Sequence, residues 1–283
     1  MQSLTSTYHL SNGVTIPIVG FGTWQMEDGP TTVHAVHTAI ETGYRHIDTA
    51  AAYQNEGSVG KAIRESGLAR SDVFLTTKLQ NRDHGYQATH DAFKRSLQAL
   101  GVSYLDLYLI HWPNPIAFRD RWQTVNAETW RAFEELYEAG LVRSIGVSNF
   151  RPHHLETLSQ SARIIPMVNQ IRLCPGDVDL KTVDYSRAQN IQLEAYSPLG
   201  TGLVFDVPDL QSVAQKKNRT VAQIALRWSL QKGFLPLPKS TTPARIVENA
   251  DVFDFDLTQE EINQIDNLTD CCDQALDPDK TNF

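Results

Sequence analysis

The sequence predicts an α/β fold in which eight strand-and-helix units close into a (β/α)8 TIM barrel. From Pro30 onward, short runs rich in β-branched and aromatic residues alternate with helical patterns, which is typical of a parallel sheet. Most of these runs end in a polar or ionisable residue: Asp48, Lys78, His111, Asn149, Gln170, Tyr196 and Lys239. Because barrels of this class carry out their chemistry at the carboxyl ends of the strands, this placement indicates an active site.

Turn signals and glycines bound the predicted strands. Glycines that suit helix C-caps occur at Gly43, Gly67, Gly101, Gly140 and Gly233. The predicted strands cover residues 18–21, 45–48, 73–78, 105–111, 142–147, 166–171, 191–196 and 234–237. Ahead of them, Asn12-Gly13 lies between extended flanks in residues 8–16, which predicts a β-hairpin at the bottom of the barrel.

Three stretches do not fit the strand-and-helix repeat, namely residues 114–125, 199–208 and 268–283. We expect all three to lie over the top face as substrate loops. The sequence shows no linker, low-complexity tract or shift in composition. Residues 1–283 are therefore predicted to form a single barrel domain.

Charge and cysteine content argue against several classes of function. The formal net charge is −8, from 25 Lys+Arg against 33 Asp+Glu, without a dense basic cluster, so nucleic acid is not an expected partner. The cysteines Cys174, Cys271 and Cys272 offer neither a disulfide framework nor a Cys-x-x-Cys metal site, and we expect reduced thiols in a cytoplasmic protein. Residues 1–10 contain no Lys or Arg, and no window reaches the roughly 18 apolar residues of a membrane helix. The acidic surface favours a monomer.

Four residues on neighbouring units form a candidate acid–base device. Asp48, Lys78 and His111 end successive strands, and Tyr53 follows Asp48 by five residues. An ammonium beside a phenol stabilises the phenolate and lowers the tyrosine pKa, and a tenfold change in the acid dissociation constant corresponds to ~1.4 kcal/mol. Taken singly, each residue has an ordinary structural explanation, but the four together favour protonation of an oxygen while hydride reaches the adjacent carbon.

The sequence resembles a known family, the aldo-keto reductases. The matching segments are residues 20–24, 43–50, 53–56, 106–113, 146–150, 169–170, 195–199 and 238–240, and the resemblance runs in order from about residue 8 to residue 267. The short loop after His111 is similar to that of the bacterial 2,5-diketogluconate reductase-like branch. The resemblance implies that Asp48, Tyr53, Lys78 and His111 are a catalytic tetrad with Tyr53 as general acid.

The same resemblance implies an NADPH cofactor bound extended across the barrel top, and the absence of a G-x-G-x-x-G motif agrees with this. Tyr196 would stack on the nicotinamide, and Ser148, Asn149 and Gln170 would fix its carboxamide. Lys239, Ser240 and Arg245 would bind the 2′-phosphate, where the start of a helix also favours an anion, with Glu248 and Asn249 near the adenine. The remaining cofactor residues implied are Gly22, Thr23, Trp24, Asp48, Ser197, Leu199 and Thr241.

A small-molecule carbonyl substrate would lie against Trp24, Tyr53, His111 and Trp112. We expect Trp24, Trp112 and a loop containing Phe118, Arg119 and Trp122 to form an apolar rim around the tetrad. Arg172 departs from the acidic residue that the family commonly has there. It is expected to pair with an acid at the surface, the alternative being a role toward carboxylated substrates.

Other functions remain open at this stage. One alternative is a barrel lyase or isomerase that uses Lys78 as a Schiff-base amine, and another is a nicotinamide-binding redox sensor with little turnover. A metal site is not expected, because the pairs His34 with His37 and His153 with His154 have no carboxylate or cysteine partner in the sequence pattern.

Overall fold

The computed structural model describes residues 2–269 and 271–283. Its strands are β1 (Thr7–His9), β2 (Thr15–Pro17), β3 (Phe21–Gly22), β4 (His46–Asp48), β5 (Phe74–Leu79), β6 (Leu107–Ile110), β7 (Ile145–Ser148), β8 (Val168–Arg172), β9 (Gln192–Tyr196) and β10 (Leu235–Leu237). Its α-helices are α1 (Pro30–Thr42), α2 (Glu56–Glu65), α3 (Tyr86–Leu100), α4 (Trp122–Glu138), α5 (Pro152–Ser159), α6 (Leu180–Ala188), α7 (Pro208–Lys217), α8 (Val221–Gln231), α9 (Pro243–Ala250) and α10 (Gln259–Asp266).

Strands β3 to β10 form one parallel sheet in which each strand pairs with the next strand along the chain. The first and last strands also meet, because the Gly20 N–H donates to the Pro236 carbonyl at 3.1 Å and the Gly22 N–H donates to the Pro238 carbonyl at 3.0 Å. The sheet therefore closes on itself. The predicted (β/α)8 barrel is confirmed.

The apolar residues of the strands explain how the barrel is held together. Parallel strands covered by helices are buried on both faces, and β6 is accordingly buried at all four of its residues. Helix packing is close enough to require glycine at one point: a Cβ at Gly60 in α2 would lie 1.9 Å from the Leu100 carbonyl oxygen at the end of α3. Helices α2 and α3 are thus in close contact at this point.

The N-terminal hairpin lies at the amino ends of the barrel strands, as predicted. β1 pairs antiparallel with β2, and Ile16 of β2 is fully buried. The Asn12 side chain in the turn donates to the Arg143 carbonyl at 3.0 Å, shortly before β7 begins. The hairpin therefore packs against the end of the barrel opposite the tetrad.

Two expectations about the elements need correction. The first barrel strand was expected at residues 18–21 but is only Phe21–Gly22, because the preceding backbone is still leaving the hairpin. Trp122 was expected in a loop but begins α4, and a short 3-10 helix, Ile116–Arg121, replaces the extended loop. The unit after β9 also has two helices, α7 and α8.

The C-terminal tail lies across the segment that follows β6, at the top of the barrel. The Asn114 side chain donates to Asp279 at 3.0 Å, and the Ile116 N–H donates to the Phe283 carbonyl at 3.2 Å. The Phe283 ring packs edge-on against Trp112 with 5.1 Å between centroids. The expected position of the tail over the top face is confirmed for residues 271–283. Within the described residues, no helix is long and apolar enough to cross a membrane.

Candidate active site

The four residues of the predicted tetrad meet at the carboxyl ends of β4, β5 and β6. The Lys78 Nζ lies 2.6 Å from Asp48 Oδ1 and donates to the Thr49 carbonyl at 2.9 Å. The Tyr53 hydroxyl is 3.4 Å from the same Nζ. The His111 ring packs edge-on against the Tyr53 ring, with 5.7 Å between centroids. The structure thus brings together a phenol, an ammonium, a carboxylate and an imidazole.

The loop that carries Tyr53 is fixed by Asn55, which the sequence argument did not single out. Asn55 is fully buried, and its side chain accepts from the Thr49 hydroxyl at 2.8 Å. It also donates to the carbonyls of Thr23 at 2.9 Å and Met26 at 3.0 Å. Three bonds to two other segments hold the turn Ala51–Tyr53 in place. An amide two residues after the tyrosine was the available signal for this role.

Burial and charge act in opposite directions on the ionisation of Tyr53 and Lys78. Burial raises the pKa of the Tyr53 phenol, and the Lys78 ammonium lowers it without reversing the shift. The expected net lowering of the Tyr53 pKa is therefore wrong, because the effect of burial outweighs that of the ammonium. Burial lowers the pKa of Lys78, but Asp48 and Tyr53 outweigh it and the net shift is upward.

These directions keep Tyr53 protonated and Lys78 charged near neutral pH. A protonated phenol is able to donate a proton, whereas a charged ammonium is a poor nucleophile. The alternative in which Lys78 forms a Schiff base is disfavoured by the carboxylate at 2.6 Å. The arrangement is suited to proton donation from Tyr53.

His111 is a neutral imidazole in this environment. Burial lowers its pKa well below the ordinary value, and the charge of Lys78 acts in the same direction. The Asn149 side chain donates to the His111 carbonyl at 2.9 Å, which ties this strand end to the end of β7. A neutral ring next to the phenol is able to form a hydrogen bond with a substrate oxygen without adding charge.

Gln170 links the tetrad to a buried glutamate below it. Its Nε2 lies 2.9 Å from Asp48 Oδ2 and 2.7 Å from Glu194 Oε2. Burial raises the pKa of Glu194 to about 8, and the charge of Asp48 adds to this while Gln170 and Lys78 oppose it. Glu194 therefore carries a proton near neutral pH. Glu194 was not predicted from the sequence, although a glutamate two residues before Tyr196 in an apolar strand was a visible signal.

The pKa of Glu194 predicts a pH-dependent contribution to stability. An unfolded glutamate ionises near 4.5, whereas the folded one ionises near 8, so the folded state binds more protons between these values and stability falls as pH rises through that window. A Glu194→Gln variant keeps an acceptor for Gln170, but residue 194 then has no carboxyl group to ionise. Its stability should not fall for this reason as pH rises. Its unfolding free energy relative to the parent should rise from pH 5 to pH 8 by up to about 1.4 kcal/mol per pH unit.

Urea unfolding at several pH values measures this difference. Glu65→Gln on the surface of α2 is the matched control, and its difference from the parent should stay constant over the same range. A Glu194→Gln variant whose relative stability is flat, or falls, between pH 5 and pH 8 would show that Glu194 is ionised in the folded protein.

Next to the tetrad, hydrogen bonds connect the side chains expected to hold a nicotinamide. The Ser148 hydroxyl donates to the Gln170 carbonyl at 2.7 Å, and the Asn149 amide donates to Ser148 Oγ at 3.1 Å. The Tyr196 hydroxyl donates to Asn149 Oδ1 at 2.8 Å. Among the described residues, no group donates to the Gln170 Oε1. That oxygen is therefore available to accept from an amide such as a carboxamide.

A second group of the predicted cofactor residues surrounds the start of α9. Lys239 and Arg245 are exposed, and neither forms an ion pair with any residue of 2–269 or 271–283. The Thr242 N–H donates to Ser240 Oγ at 3.0 Å. Two cations and the first N–H groups of a helix suit a phosphate. Of the neighbouring positions, Thr241 is exposed, Asn249 is buried, and Glu248 accepts from the Thr220 hydroxyl at 2.9 Å.

The two groups are joined along β3. The Gly22 N–H donates to the carbonyl of Pro238, the residue before Lys239, and the Thr23 hydroxyl donates to the Asp48 carbonyl at 3.0 Å. A Cβ at Gly22 would lie 3.2 Å from the Leu237 carbonyl oxygen. Beyond β9, Ser197 has a φ of 48° and Leu199 is half-buried against the core. The Gly22 and Thr23 hydrogen bonds thus connect the segment before Lys239 with the end of β4 at Asp48.

The expected apolar rim is only partly present. Trp24 is 46% exposed and Trp112 is buried under Phe283, so both are aromatic surfaces near the tetrad loops. The other three residues make contacts elsewhere. Phe118 stacks on His84, Trp122 packs against His154, and the Arg119 guanidinium donates to the Thr281 carbonyl.

The expected pairing of Arg172 with an acid is confirmed. Its Nε lies 2.8 Å from Asp177 Oδ2. The pair is not at the surface, however, since the Arg172 side chain is only 9% exposed. The turn after β8 folds Asp177 back over the strand end, which a strand-based argument does not show.

The expectation that His153 and His154 lack a carboxylate partner is wrong. Asp279 in the tail lies 3.1 Å from His153 Nε2 and 2.9 Å from His154 Nε2. The hydrogen bonds of His154 nevertheless disfavour metal binding. Its Nδ1 accepts from the Arg151 N–H at 3.1 Å, so the neutral ring must carry its proton on Nε2, the atom that faces Asp279. That proton is donated to Asp279. The cluster anchors the tail.

Comparison with known proteins identifies the family of the chain. The sequence profile of the Aldo/keto reductase family matches residues 18–270. The chain belongs to this family. The prediction of an NADP-dependent oxidoreductase is confirmed.

Individual relatives extend over almost the whole chain. The chain is 49% identical over 266 residues to a glyoxal reductase from Bacillus subtilis, covering 94% of each protein. It is similar to the crystal structure of an aldo/keto reductase from Brucella melitensis, with a TM-score of 0.88, 48% identity and coverage of 94% of this chain and 98% of that one. It also resembles an aldo-keto reductase from Bombyx mori in complex with NADP, with a TM-score of 0.86, 37% identity and coverage of 96% and 94%. The 2,5-diketogluconate reductase-like branch stays a prediction.

Proposed function

We propose that this protein is an NADPH-dependent reductase that converts aldehydes or ketones to alcohols, with Tyr53 as the proton donor. The observation that carries the proposal is the contact of the Tyr53 hydroxyl with Lys78 Nζ at 3.4 Å, while the same Nζ is held by Asp48 at 2.6 Å. When bound, NADPH supplies the hydride. The acid–base work belongs to the side chains of the protein.

Each residue of the tetrad has a separate task in this proposal. His111, neutral and beside the Tyr53 ring, orients the carbonyl oxygen by hydrogen bonding. Tyr53 gives its proton to that oxygen as negative charge develops there. The Lys78 ammonium stabilises the phenolate that remains, and Asp48 keeps Lys78 charged and aimed.

The cofactor residues divide the proposed NADPH site into two ends. Tyr196, Ser148, Asn149 and Gln170 would hold the nicotinamide end beside the tetrad, with the Gln170 Oε1 accepting from the carboxamide. Lys239, Ser240 and Arg245 would hold the 2′-phosphate at the start of α9, with Thr241, Glu248 and Asn249 around the adenosine. The structure of the relative with NADP supports the choice of cofactor.

The test is NADPH oxidation with a panel of aldehydes, ketones and keto-sugars, run beside NADH. Glyoxal is included because one relative is named for it. Turnover with NADPH is expected for at least one short aldehyde. Tight NADPH binding without turnover over the whole panel would instead support the redox-sensor alternative, and absent NADPH binding would refute both.

Replacing Arg245 by alanine should selectively weaken NADPH binding. Arg245 is an exposed cation without an ion pair among the described residues, and a charge-assisted bond contributes about 1.5–3 kcal/mol, so the Kd for NADPH should rise ~10–100-fold. The Kd for NADH should stay near its parent value, because NADH lacks the 2′-phosphate. Fluorescence titration of both cofactors measures this. Arg187→Ala on α6 is the matched control, and equal weakening toward NADH would contradict the assignment.

The proposal also covers the cellular setting of the enzyme. We propose a cytoplasmic monomer in which residues 1–283 work as one domain on a small-molecule carbonyl, without nucleic acid as partner. The net charge of −8 supports the last point, since a phosphate backbone would be repelled.

A further inference from the structure

The three cysteines of the chain lie together, although they come from distant parts of the sequence. Cys174 follows β8, and Cys271 and Cys272 belong to the C-terminal tail. The Cys272 Sγ lies 3.4 Å from the Pro175 carbonyl oxygen, and the Cys271 Sγ lies 3.8 Å from the same oxygen. Because Pro175 directly follows Cys174 in the chain, both tail thiols lie next to Cys174. The spacing along the chain gave no sign of this cluster, because the fold alone brings the tail to β8.

Two glycines leave the space that the tail thiols fill. A Cβ at Gly200 would lie 2.7 Å from the Cys272 Sγ, and a Cβ at Gly176 would collide with the Cys271 Sγ. Both glycines also have a positive φ, 53° at Gly200 and 85° at Gly176. The backbone on both sides is therefore shaped to admit sulfur atoms closely, and the thiols are held within a defined pocket.

The surroundings make the thiols of Cys174 and Cys272 chemically unequal. The neighbouring Cys272 thiol lowers the pKa of Cys174 against the effect of burial, and the Arg172 guanidinium acts in the same direction. The neighbouring Cys174 thiol raises the pKa of Cys272, and burial adds to this. Cys174 is thus the sulfur that carries negative charge most readily. A thiolate, rather than a thiol, is the nucleophile in reactions of cysteine.

We propose that Cys174 and Cys272 form an oxidative modification site at which hydrogen peroxide converts the two thiols into a disulfide. The Cys174 sulfur attacks a peroxide oxygen, the O–O bond breaks, and the departing hydroxide leaves as water after taking a proton. Cys174 is then a sulfenic acid. The Cys272 sulfur then attacks the Cys174 sulfur and forms the disulfide. The hydroxyl group of the sulfenic acid is displaced and, after taking a proton, leaves as a second water. In total, two thiols lose two electrons and two protons, and one peroxide becomes two waters.

The position of the pair gives the disulfide a structural consequence. Beyond Cys272 the tail contacts Asn114 through Asp279 and packs Phe283 on Trp112. A covalent bond at Cys272 would attach the beginning of this tail to the segment after β8. The tail that covers the residues beside the candidate active site would then be fixed at both ends. The modification does not depend on the proposed reductase activity.

The test is controlled oxidation of the purified full-length chain with hydrogen peroxide, followed by alkylation, non-reducing digestion and mass spectrometry. The parent should lose 2 Da in intact mass, and its free thiols under denaturing conditions should fall from three to one. A cross-linked peptide pair containing Cys174 and Cys272 should appear, and a reductant should remove it.

Matched serine variants decide which thiols react. Cys271→Ser should form the cross-link as the parent does, whereas Cys272→Ser should form none and accumulate oxidised Cys174 instead. Circular dichroism checks that each variant is folded. Three free thiols in the oxidised parent would overturn the proposal. A Cys271–Cys272 bond, or an equal yield of cross-link in Cys272→Ser, would overturn it as well.

Discussion

Replacing Tyr53 by phenylalanine should lower the rate of carbonyl reduction by ~10²–10⁴-fold, the usual contribution of a positioned general acid. In the structure the Tyr53 hydroxyl contacts Lys78 Nζ at 3.4 Å, so phenylalanine removes the proton and keeps the ring against His111. The Kd for NADPH should stay near the parent value, because the residues expected to hold the cofactor are unchanged. Steady-state NADPH oxidation and a fluorescence titration measure the two quantities separately.

Tyr108 in β6 offers a matched control for this change. It is a fully buried tyrosine whose hydroxyl has no hydrogen-bond partner among the described residues, so Tyr108→Phe removes the same atom from the same barrel without touching the tetrad. It should keep the parent rate. A Tyr53→Phe variant that also keeps the parent rate would assign the proton donor to another group.

The pH dependence of the parent adds a second check on Tyr53. A general acid must be protonated, and burial raises the pKa of this phenol from its ordinary 10.0. The rate of reduction should therefore show no loss from phenol ionisation as pH rises from 7 toward 10. A loss centred near neutral pH that disappears in Tyr53→Phe would contradict the upward direction of the shift.

The fold was largely predictable from the sequence because local patterns encode it. The apolar runs, the C-cap glycines and the Asn12-Gly13 turn each reflect backbone preferences of a few residues, and the structure has strands and a hairpin at these places. The error at the first strand has a local cause too. Ile18 and Val19 are apolar, as a buried strand requires, but the chain bends there as it leads from the hairpin into the barrel, and pairing with β4 begins only at Phe21.

The candidate site was predictable where it lies on strand ends and unpredictable where the tail adds to it. Asp48 and Lys78 end neighbouring strands, so strand order alone placed them together. Asp279 beside His154 depends on the path of a tail more than 100 residues further along the chain, which no local pattern reports. For the same reason, the sequence did not predict that Cys174 and Cys272 lie close together. The net direction of the Tyr53 pKa was missed because burial is a property of the packed structure.

Removing the Lys78 ammonium should cost both stability and activity, for separable reasons. Lys78 is fully buried and pairs with Asp48 at 2.6 Å. Breaking a buried ion pair by removing one partner typically costs about 3–5 kcal/mol, because the other charge stays buried. Lys78→Met should therefore lower the unfolding free energy by about that amount. Turnover should fall by at least ~10²-fold, since no cation remains to stabilise the Tyr53 phenolate.

A double variant distinguishes the electrostatic explanation from simple misfolding. In Asp48→Asn with Lys78→Met, the uncompensated carboxylate is gone and a side chain of similar shape remains beside Gln170. Urea unfolding should show that much of the lost stability returns, while NADPH oxidation stays as low as in the single variant. If activity returned together with stability, the role of Lys78 would be structural. If the double variant were less stable than Lys78→Met alone, the cost would lie in packing around the lysine chain and not in the charge left on Asp48.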